Sequence, residues 1–153
     1  MTLDPELQFV SDFLESHDLH DRLVVIEGSM LTADQSAAQL RITKESIAKS
    51  LLFLADEKPV LVITPGNKRV DTKRLKEILA AQKVVLADPD TTFALTGFTV
   101  KGVPPVAHKT SIPVYIDSDL RSQTLLHAAA GNEHAMFKVT FEELVTITGA
   151  QPM

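Results

Sequence analysis

Lys49 is the residue of this sequence whose position first suggests chemistry. It follows a predicted helical turn over residues 44–48 and precedes an apolar run over residues 51–55, which predicts a buried strand. A lysine in such a place is commonly a surface residue whose aliphatic stem lies along the sheet while its ammonium reaches water. It can also be a cation held at the end of a strand to bind an anion or a carbonyl oxygen. The local sequence leaves both interpretations open.

The segment from Gly97 to His108 has the most unusual composition in the chain. Gly102 permits close approach of a ligand to the backbone, and Pro104 and Pro105 stiffen the loop after it. A rigid loop presents N–H and C=O groups in fixed positions, which suits recognition of a carbonyl or hydroxyl group. A tight connection between strands is an equally good interpretation. His108 is more typical of a hydrogen-bonded structural residue than of a catalyst, because no Ser or Asp partner is evident from the spacing.

A cluster of basic residues follows the second apolar run of the chain. Five lysines and arginines occur within nine positions, and Asp71 is the acidic residue among them. In a chain whose formal net charge is −5 this asymmetry is informative. A solvated helix face is one interpretation, and a patch that contacts phosphates is the other. The basic residues are Lys68, Arg69, Lys73, Arg74 and Lys76.

The composition is that of one globular domain over residues 1–153, with 44% apolar and 23% charged residues. The absence of cysteine excludes disulfides and thiol catalysis. The N-terminus has no signal-peptide pattern, and no apolar run approaches the ~20 residues of a membrane span. We therefore expect a cytoplasmic protein with no membrane partner. The negative net charge argues against indiscriminate nucleic-acid binding, so DNA is not an expected partner.

Two short apolar runs, residues 51–55 and 60–63, are the centre of the predicted fold. A polar break separates them, which is typical of neighbouring strands buried on both faces. Capping and turn signals place the other elements. Two helices are predicted in the first part of the chain, one from Asp4 and Pro5 to near His17 and one over residues 35–40 with Ala37, Ala38 and Leu40 inward. A third is predicted to begin at Asp71, with Leu75, Ile78 and Leu79 buried. Two more are predicted from Asp88 to Gly97 and from Thr140 to Gly149, the last with a capping box at Glu143. Strands are predicted over residues 22–27, 83–87, 112–116, 124–130 and 135–139, the last two as a hairpin.

Two further local features are predicted around the basic cluster and Lys49. Thr43 is expected to cap the helical turn that precedes Lys49. Pro65 and Gly66 are expected to form a turn with a residue at positive φ. Both features decide how the chain enters and leaves the central strand pair.

Several short motifs occur in an order that resembles a known family. Lys49 leads into Ser-Leu-Leu-Phe, the turn at residues 65–71 leads into a basic helix, and Leu-Thr-Gly-Phe at residues 95–98 precedes the Gly-Val-Pro-Pro loop. Ala-Ala-Gly at residues 129–131 falls in the late hairpin, and Leu-x-x-Ile-Thr-Gly closes the chain. Over most of its length the chain resembles the YbaK/ProX family, which includes the inserted editing domain of bacterial prolyl-tRNA synthetase.

Members of that family are free-standing deacylases that hydrolyse the ester between a wrong amino acid and tRNA, chiefly mischarged tRNA(Pro). The resemblance implies a single-domain α/β (α+β) fold with a mixed, largely antiparallel, partly barrel-like sheet flanked by helices. It implies aminoacyl-tRNA as the partner, with tRNA(Pro) favoured, and prolyl-tRNA synthetase as a second partner. No cofactor or metal is expected. His17 and His20 have a spacing that metal ligands can have, but no further ligand-type residue supports such a site.

The resemblance also assigns roles to individual residues. Lys49 matches the family's functional lysine, and the loop at Gly102 matches the Gly-x-x-Pro loop that lines the aminoacyl pocket. Gly131 matches the glycine of the late hairpin. The substrate-binding residues expected here are Ser50, Gly102, Val103, Pro104, Pro105, His108, Gly131 and Asn132. The tRNA contacts expected here are Lys68, Arg69, Lys73 and Arg74.

By this resemblance Lys49 holds a terminal phosphate or polarises the ester carbonyl, and the loop at Gly102 fixes the carbonyl or α-amino group. The sequence offers no convincing Asp or Glu as a base, and relatives recruit a hydroxyl of the terminal ribose or a substrate group instead. One position departs from the family, because Lys101 stands where many members have a glycine, which leaves the amino-acid specificity open. A non-catalytic aminoacyl- or tRNA-binding module and a small-molecule esterase are the alternative functions.

Overall fold

The helices and strands form a mixed α+β fold in the computed structural model, which describes residues 3–153. The α-helices in that range are α1 (Pro5–Ser16), α2 (Ala33–Leu40), α3 (Thr72–Leu79), α4 (Pro89–Thr96) and α5 (Phe141–Thr148). The strands are β1 (Leu23–Val25), β2 (Ile47–Ala55), β3 (Lys58–Pro65), β4 (Val84–Leu86), β5 (Val114–Ile116), β6 (Leu126–Ala129), β7 (Ala135–Val139) and β8 (Gln151–Pro152). None of the helices in residues 3–153 combines the length and apolar character that crossing a membrane requires.

The strands of the described residues belong to one mixed sheet. Its order is β1-β7-β6-β2-β3-β5-β8, and β4 also pairs with β2. The pairs β2–β6, β3–β5 and β5–β8 are parallel, and the other four are antiparallel. The sheet is open, with β1 and β8 at its ends, and is not closed into a barrel. The predicted mixed, largely antiparallel sheet with flanking helices is confirmed, whereas the predicted partly barrel-like shape is corrected to an open sheet, because β1 and β8 do not pair with each other.

The two apolar runs at the centre of the sequence form the longest strand pair, β2 and β3, in antiparallel register. A two-residue turn connects them, in which Asp56 and Glu57 have φ of 47° and 69°. Positive φ at both positions matches the twist of a tight hairpin. Because β3 continues to Pro65, it pairs with residues of β2 that precede the apolar run. Lys49 therefore lies inside β2 rather than before it, and the helical turn that precedes β2 is confined to Lys44–Ser46.

The opposite edge of β2 is shared by two strands with a gap between them. β6 pairs in parallel with Ile47 and Ala48 at the start of β2. β4 pairs with residues 53–55 at its end. Residues 49–51 lie between these two strands, and no strand of the described residues pairs with them on that edge. This gap positions the candidate site described below.

Apolar cores lie on both faces of the sheet. Alternate residues of β3 divide between them, because successive side chains of a strand point to opposite faces. Leu61 and Ile63 join the larger core, which is covered by α1 and α5. Val60 and Val62 join the smaller core, in which α3 contributes Leu75. The helices therefore flank both faces, and α3 lies on the face that also carries Lys49.

Two predicted helix faces need correction. In α3, Leu75 is buried, but Ile78 keeps 41% of its surface exposed. Leu75 and Leu79, four residues apart, are the side chains that meet the sheet. In α2, Ser36 is buried and Ala38 is exposed. Both helices are short, with eight residues each. In a helix of about two turns, a small rotation about the axis changes which side chain points inward.

Three predicted caps and turns were wrong for identifiable reasons. The carboxylate of Asp4 does not cap α1, because it accepts a hydrogen bond from the side-chain amide of Asn132 at 3.0 Å. Thr43 makes no side-chain cap of the turn before β2. Gly66 does not have positive φ. A glycine is required there for space, because a Cβ would lie 2.8 Å from the Lys44 carbonyl oxygen.

The last helix, α5, begins with the predicted capping box. The Thr140 hydroxyl accepts from the Glu143 N–H at 3.1 Å, and the Glu143 carboxylate accepts from the Thr140 N–H at 2.9 Å. Glu143 also accepts two hydrogen bonds of 2.9 Å from the guanidinium of Arg22, which ties α5 to the start of β1. These contacts, chiefly the one with Arg22, lower the pKa of Glu143 to about 2.

Glu143→Gln is expected to destabilise the protein at pH 7 by about 2 kcal/mol, after allowance for solvent screening. Because the folded-state pKa is depressed, this stabilisation is present above the ordinary pKa of 4.5 and is lost as the pH falls to about 2. Urea unfolding of wild type and variant at pH 7 and at about pH 2.5 measures the difference. Glu142→Gln, an exposed neighbour, is the control. A difference between wild type and Glu143→Gln that is the same at both pH values would contradict the assignment.

Candidate active site

A small pocket of about 150 Å³ lies at the gap along β2. Lys49, Ser50 and Leu51 line it from the strand itself, and the loop over residues 100–103 lines it from the next segment. The segment over residues 30–33, which leads into α2, also contributes. Most lining groups are apolar, and no carboxylate belongs to the lining within residues 3–153. The pocket therefore suits a small, largely apolar group that meets the cations of its lining, Lys49 and Lys101.

Lys49 is a half-buried cation without a counterion. Its ammonium forms no ion pair with an acidic residue in the part of the chain that the structure describes. Burial lowers the pKa of Lys49, and the nearby positive charge of Arg69 lowers it further. Such an environment favours binding of an anion or of a polarised carbonyl oxygen, since either relieves the unfavourable electrostatics. It favours the second of the two interpretations of Lys49.

Gly102 is held by contacts that leave no room for a side chain. Its N–H donates to the carbonyl of Thr99 at 3.1 Å, and its own carbonyl accepts from the N–H of Gly131 at 2.9 Å. A Cβ at Gly102 would lie 2.4 Å from backbone atoms of Asn132. Gly131 has a φ of 122°, which glycine adopts readily. The two glycines thus fasten the loop to the end of β6, where the pairing between β6 and β2 stops.

Ser50 brings to the pocket lining a hydroxyl that has no hydrogen-bond partner among the described residues. The residue is 9% exposed, and its hydroxyl oxygen makes no hydrogen bond with any described residue. A buried hydroxyl without a partner lowers stability, so such groups are uncommon in folded proteins. A bound ligand can supply the missing hydrogen bond. Val103, a further predicted contact, also lines the pocket.

The other three predicted contacts of this loop, Pro104, Pro105 and His108, lie outside the small pocket. His108 lines a cavity of about 350 Å³ together with Phe9 and Phe98. Its Nε2–H donates to the carbonyl of Pro104 at 2.7 Å, and burial lowers the pKa of His108, which favours the neutral ring at pH 7. Pro104 and Pro105 are buried and do not line the small pocket. These three residues shape the loop from outside the pocket.

Asn132 supports the loop rather than lining the pocket. Its side-chain amide donates to Asp4 at 3.0 Å and to Glu6 at 3.1 Å. Its side-chain oxygen accepts from the N–H of His134 at 2.9 Å. The hairpin loop is therefore tied to the start of α1, and Gly131 and Asn132 together form the surface against which Gly102 rests.

The basic cluster divides into one paired lysine and four side chains that form no ion pair within residues 3–153. The Lys68 ammonium lies 2.7 Å from a carboxylate oxygen of Asp117 and 2.9 Å from one of Asp119. These carboxylates raise the pKa of Lys68. β3 and β5 are parallel neighbours, so the loops after them meet at one edge of the sheet, and the ion pairs join those loops. The basic side chains of the cluster that form no ion pair with any residue of 3–153 are Arg69, Lys73, Arg74 and Lys76.

Sequence reasoning missed the apolar walls of the pocket. Met30, Leu31 and Ala33 reach it from the segment before α2, and Met136 reaches it from β7. A short helix with small residues was predicted near this segment, but no local pattern indicates which strand it covers. Met30 and Met136 form a small cluster with Ile47, the first residue of β2. That long-range packing sets the small size of the pocket.

The described residues thus form an open mixed sheet with a small pocket in its gap, and Lys49 belongs to the lining of that pocket. Residues 27–147 match the family model described as the aminoacyl-tRNA editing domain, and the chain belongs to that family.

Several known proteins are similar to this chain. The proline–tRNA ligase of Desulfovibrio desulfuricans is 35% identical over 105 residues, 67% of this chain and 18% of the ligase. EbsC of Enterococcus faecalis, provisionally named a Cys-tRNA(Pro)/Cys-tRNA(Cys) deacylase, is 26% identical over 122 residues, 79% of this chain and 74% of that protein. A crystal structure provisionally described as a trans-editing enzyme for prolyl-tRNA synthetase has a TM-score of 0.92 and 32% identity, covering 99% of this chain and 97% of that one. The chain spans 18% and 17% of the length of two proline–tRNA ligases that it matches.

Arg69→Gln is expected to raise the pKa of Lys49 toward its ordinary value, because it removes the positive charge that disfavours the ammonium. A carbon- or nitrogen-detected NMR titration of the lysine side chains measures this pKa directly. Lys73→Gln removes a charge from the exposed face of α3 and is the matched control. An unchanged Lys49 titration in Arg69→Gln would show that the two cations do not interact.

Proposed function

We propose that this protein is a trans-editing aminoacyl-tRNA deacylase. Its substrate is a mischarged tRNA, and tRNA(Pro) carrying a small non-cognate amino acid fits best. The observation that carries the proposal is the unpaired, half-buried ammonium of Lys49 beside a pocket of about 150 Å³. Membership of the editing-domain family supports the reaction. The similarity to proline–tRNA ligases and to EbsC supports tRNA(Pro) as the tRNA.

Lys49 supplies the electrostatic contribution in this proposal. An aminoacyl ester is an activated acyl group, so positioning and charge stabilisation lower its hydrolysis barrier without a catalytic triad. The ammonium either polarises the ester carbonyl or holds the phosphate of the terminal nucleotide. Both roles place a developing or fixed negative charge next to a cation that has no other partner.

In this proposal Gly102 orients the substrate through its carbonyl and does not act as an oxyanion-hole donor. Its N–H already donates to Thr99, so it is not an available donor. Its carbonyl accepts from Gly131 but keeps a second lone pair, which can accept from the α-amino group of the substrate. The loop thus orients the aminoacyl group while Lys49 acts on the ester.

The attacking water requires a base that the pocket itself does not supply. No Asp or Glu belongs to the lining residues within 3–153. A hydroxyl of the terminal ribose lies next to the ester in any aminoacyl-tRNA, and it can accept a hydrogen bond from the water and so position it for attack. Substrate assistance of this kind accounts for catalysis without a carboxylate. The hydroxyl of Ser50, which lacks a partner, is a further group that can orient the substrate.

The size of the pocket sets the amino-acid preference. Met30, Ile47 and Met136 pack together at its lining, and each added methylene of a substrate changes affinity by about 1–3 kcal/mol. A side chain that exceeds the pocket is rejected sterically. We therefore propose alanine, cysteine, serine and threonine as the candidate residues removed, with larger ones excluded.

The tRNA contacts are proposed for three of the basic side chains that form no ion pair within residues 3–153, namely Arg69, Lys73 and Arg74. Lys68 is a weaker candidate because Asp117 and Asp119 already neutralise it. Three phosphate contacts give modest affinity at physiological salt. Prolyl-tRNA synthetase as a second partner would supply additional contacts to the tRNA.

Lys49→Ala is expected to reduce kcat/KM for deacylation by at least a hundredfold, since a single stabilising donor at an oxyanion contributes about 10²–10³. The measurement is deacylation of tRNA(Pro) charged with alanine, cysteine, serine, threonine or proline, beside correctly charged control tRNAs. Lys58→Ala, which removes an exposed lysine at the start of β3, is the matched control.

Any of three results would overturn the proposal. Equal activity of Lys49→Ala and wild type would remove Lys49 from the reaction. Hydrolysis of free aminoacyl esters with no activity on any tRNA would instead identify a small-molecule esterase. Tight binding of aminoacyl-tRNA without turnover would identify a binding module.

The double variant Lys73→Gln/Arg74→Gln is expected to weaken tRNA binding and to reduce the slope of log K against log salt by about 1–2. Each lost phosphate contact removes about one released counterion, and the effect is independent of tRNA sequence. Binding of uncharged tRNA(Pro) at several salt concentrations measures the slope. Lys58→Gln combined with Lys83→Gln removes the same charge elsewhere and is the control. An unchanged slope in the first double variant would exclude α3 from the interface.

A further inference from the structure

A second cavity of about 440 Å³ lies on the α3 face of the sheet, and the reaction described above does not use it. The residues that line it are Val62 and Thr64 of β3, Lys68 and Val70 in the turn after it, Asp71 and Arg74 at α3, Asp117, Ser118 and Asp119 after β5, and Met153. Its volume is in the range of sites that hold small organic ligands. Both polar and apolar groups line it, so the ligand must offer both kinds of surface.

Thr64 indicates that this cavity is a binding site. The residue is 1% exposed, and its hydroxyl makes no hydrogen bond with any described residue. Side chains alternate along a strand, and Val62, two residues earlier, also lines the cavity while Ile63 belongs to the core on the other face. The Thr64 side chain therefore points to the cavity side of the sheet. A buried hydroxyl without a partner on that side is a group that a ligand can satisfy.

The cavity adjoins the candidate active site through one strand pair. Thr64 lies directly opposite Lys49 in the β2–β3 register. Side chains of such a pair share one face and have Cβ atoms about 5 Å apart. A ligand that places its ester at Lys49 would therefore extend its neighbouring groups toward Thr64.

The chemistry of the lining matches a nucleotide. The guanidinium of Arg74 forms no ion pair with residues 3–153 and can bind a phosphate. Val62, Val70 and Met153 offer an apolar surface on which a base can pack. The Asp117 carboxylate lies at the same cavity and can accept from an exocyclic amino group, as acidic side chains do with the N4 amine of cytosine.

We propose that this cavity binds the nucleotide that precedes the esterified adenosine in the acceptor strand of the substrate tRNA. That nucleotide is a cytidine in every tRNA, and its amino group suits the carboxylates of the lining, of which Asp117 and Asp119 also bind Lys68. The inference rests on the proposed deacylase function and deepens it. It assigns to Thr64 a hydrogen bond to the ribose or phosphate of the cytidine, and to Arg74 the phosphate between the two nucleotides.

The test compares hydrolysis of three synthetic substrates: the aminoacyl esters of adenosine, of the dinucleotide CpA and of the dinucleotide UpA. The amino acid is the one that wild type removes fastest from tRNA(Pro). We expect kcat/KM for CpA to exceed that for adenosine by about tenfold in wild type, which corresponds to one or two hydrogen bonds. Thr64→Val should lower this ratio toward one. UpA should be hydrolysed more slowly than CpA.

Two control variants separate recognition from structural effects. Thr64→Ser keeps a hydroxyl and should retain the ratio, whereas Thr146→Val makes the same exchange on the exposed side of α5 and should leave the ratio unchanged. Thr64→Val should also raise the melting temperature, because it removes a buried polar group that lacks a partner. That increase would show that the variant is folded.

The results that would overturn the inference are distinct from those that would overturn the function. Equal kcat/KM for adenosine and CpA in wild type, or an unchanged ratio in Thr64→Val, would exclude the cavity while leaving the deacylase intact. Equal rates on CpA and UpA would exclude recognition of the cytosine. No hydrolysis of any of the three esters or of charged tRNA would overturn the function and this inference together.

Discussion

The structure depends on strand β2, because one edge of this strand pairs with two different strands, β6 and β4. Along that edge of β2, β6 pairs with Ile47 and Ala48, and β4 pairs with residues 53–55. Residues 49–51 pair with no strand of the described residues on that edge, so another segment must close the sheet there. The loop over residues 100–103 does so, and the hydrogen bond from Gly131 to Gly102 holds it in place. The pocket, its lysine and its small size all follow from this arrangement.

Electrostatics at this edge of the sheet are unusual for an acidic chain. Lys49 and Arg69 lie close enough for Arg69 to lower the pKa of Lys49, and neither is neutralised by a carboxylate of the described residues. Lys68, a short distance along the chain, is neutralised by Asp117 and Asp119. Positive charge is thus left without a neighbouring carboxylate where a substrate anion or carbonyl would bind. The adjacent positive charge of Lys68 is neutralised. This positive charge is unfavourable in the free protein and becomes favourable when an anion or a carbonyl oxygen binds beside it.

Local patterns predicted much of the fold and little of the pocket. Apolar runs located β2 and β3, and the capping box located the start of α5, because both are properties of neighbouring residues. The position of Lys49 inside β2 depends on how far β3 extends, and the hydrogen bond between Asp4 and Asn132 joins residues 128 positions apart. Such long-range contacts leave no local pattern. Recognition of the family supplied the roles of Lys49 and Gly102, which periodicity and spacing alone left open.

The most direct test of this account is the location of the aminoacyl site. The measurement is a ¹H–¹⁵N NMR titration with an amide-linked, non-hydrolysable alanyl-adenosine analogue. The account predicts that the largest backbone shifts occur at Lys49, Ser50 and residues 100–103, with Gly131 shifting through its hydrogen bond to Gly102. Shifts concentrated at Phe98 and His108, with residues 49–51 unaffected, would place the ligand in the other cavity of the loop and contradict the account.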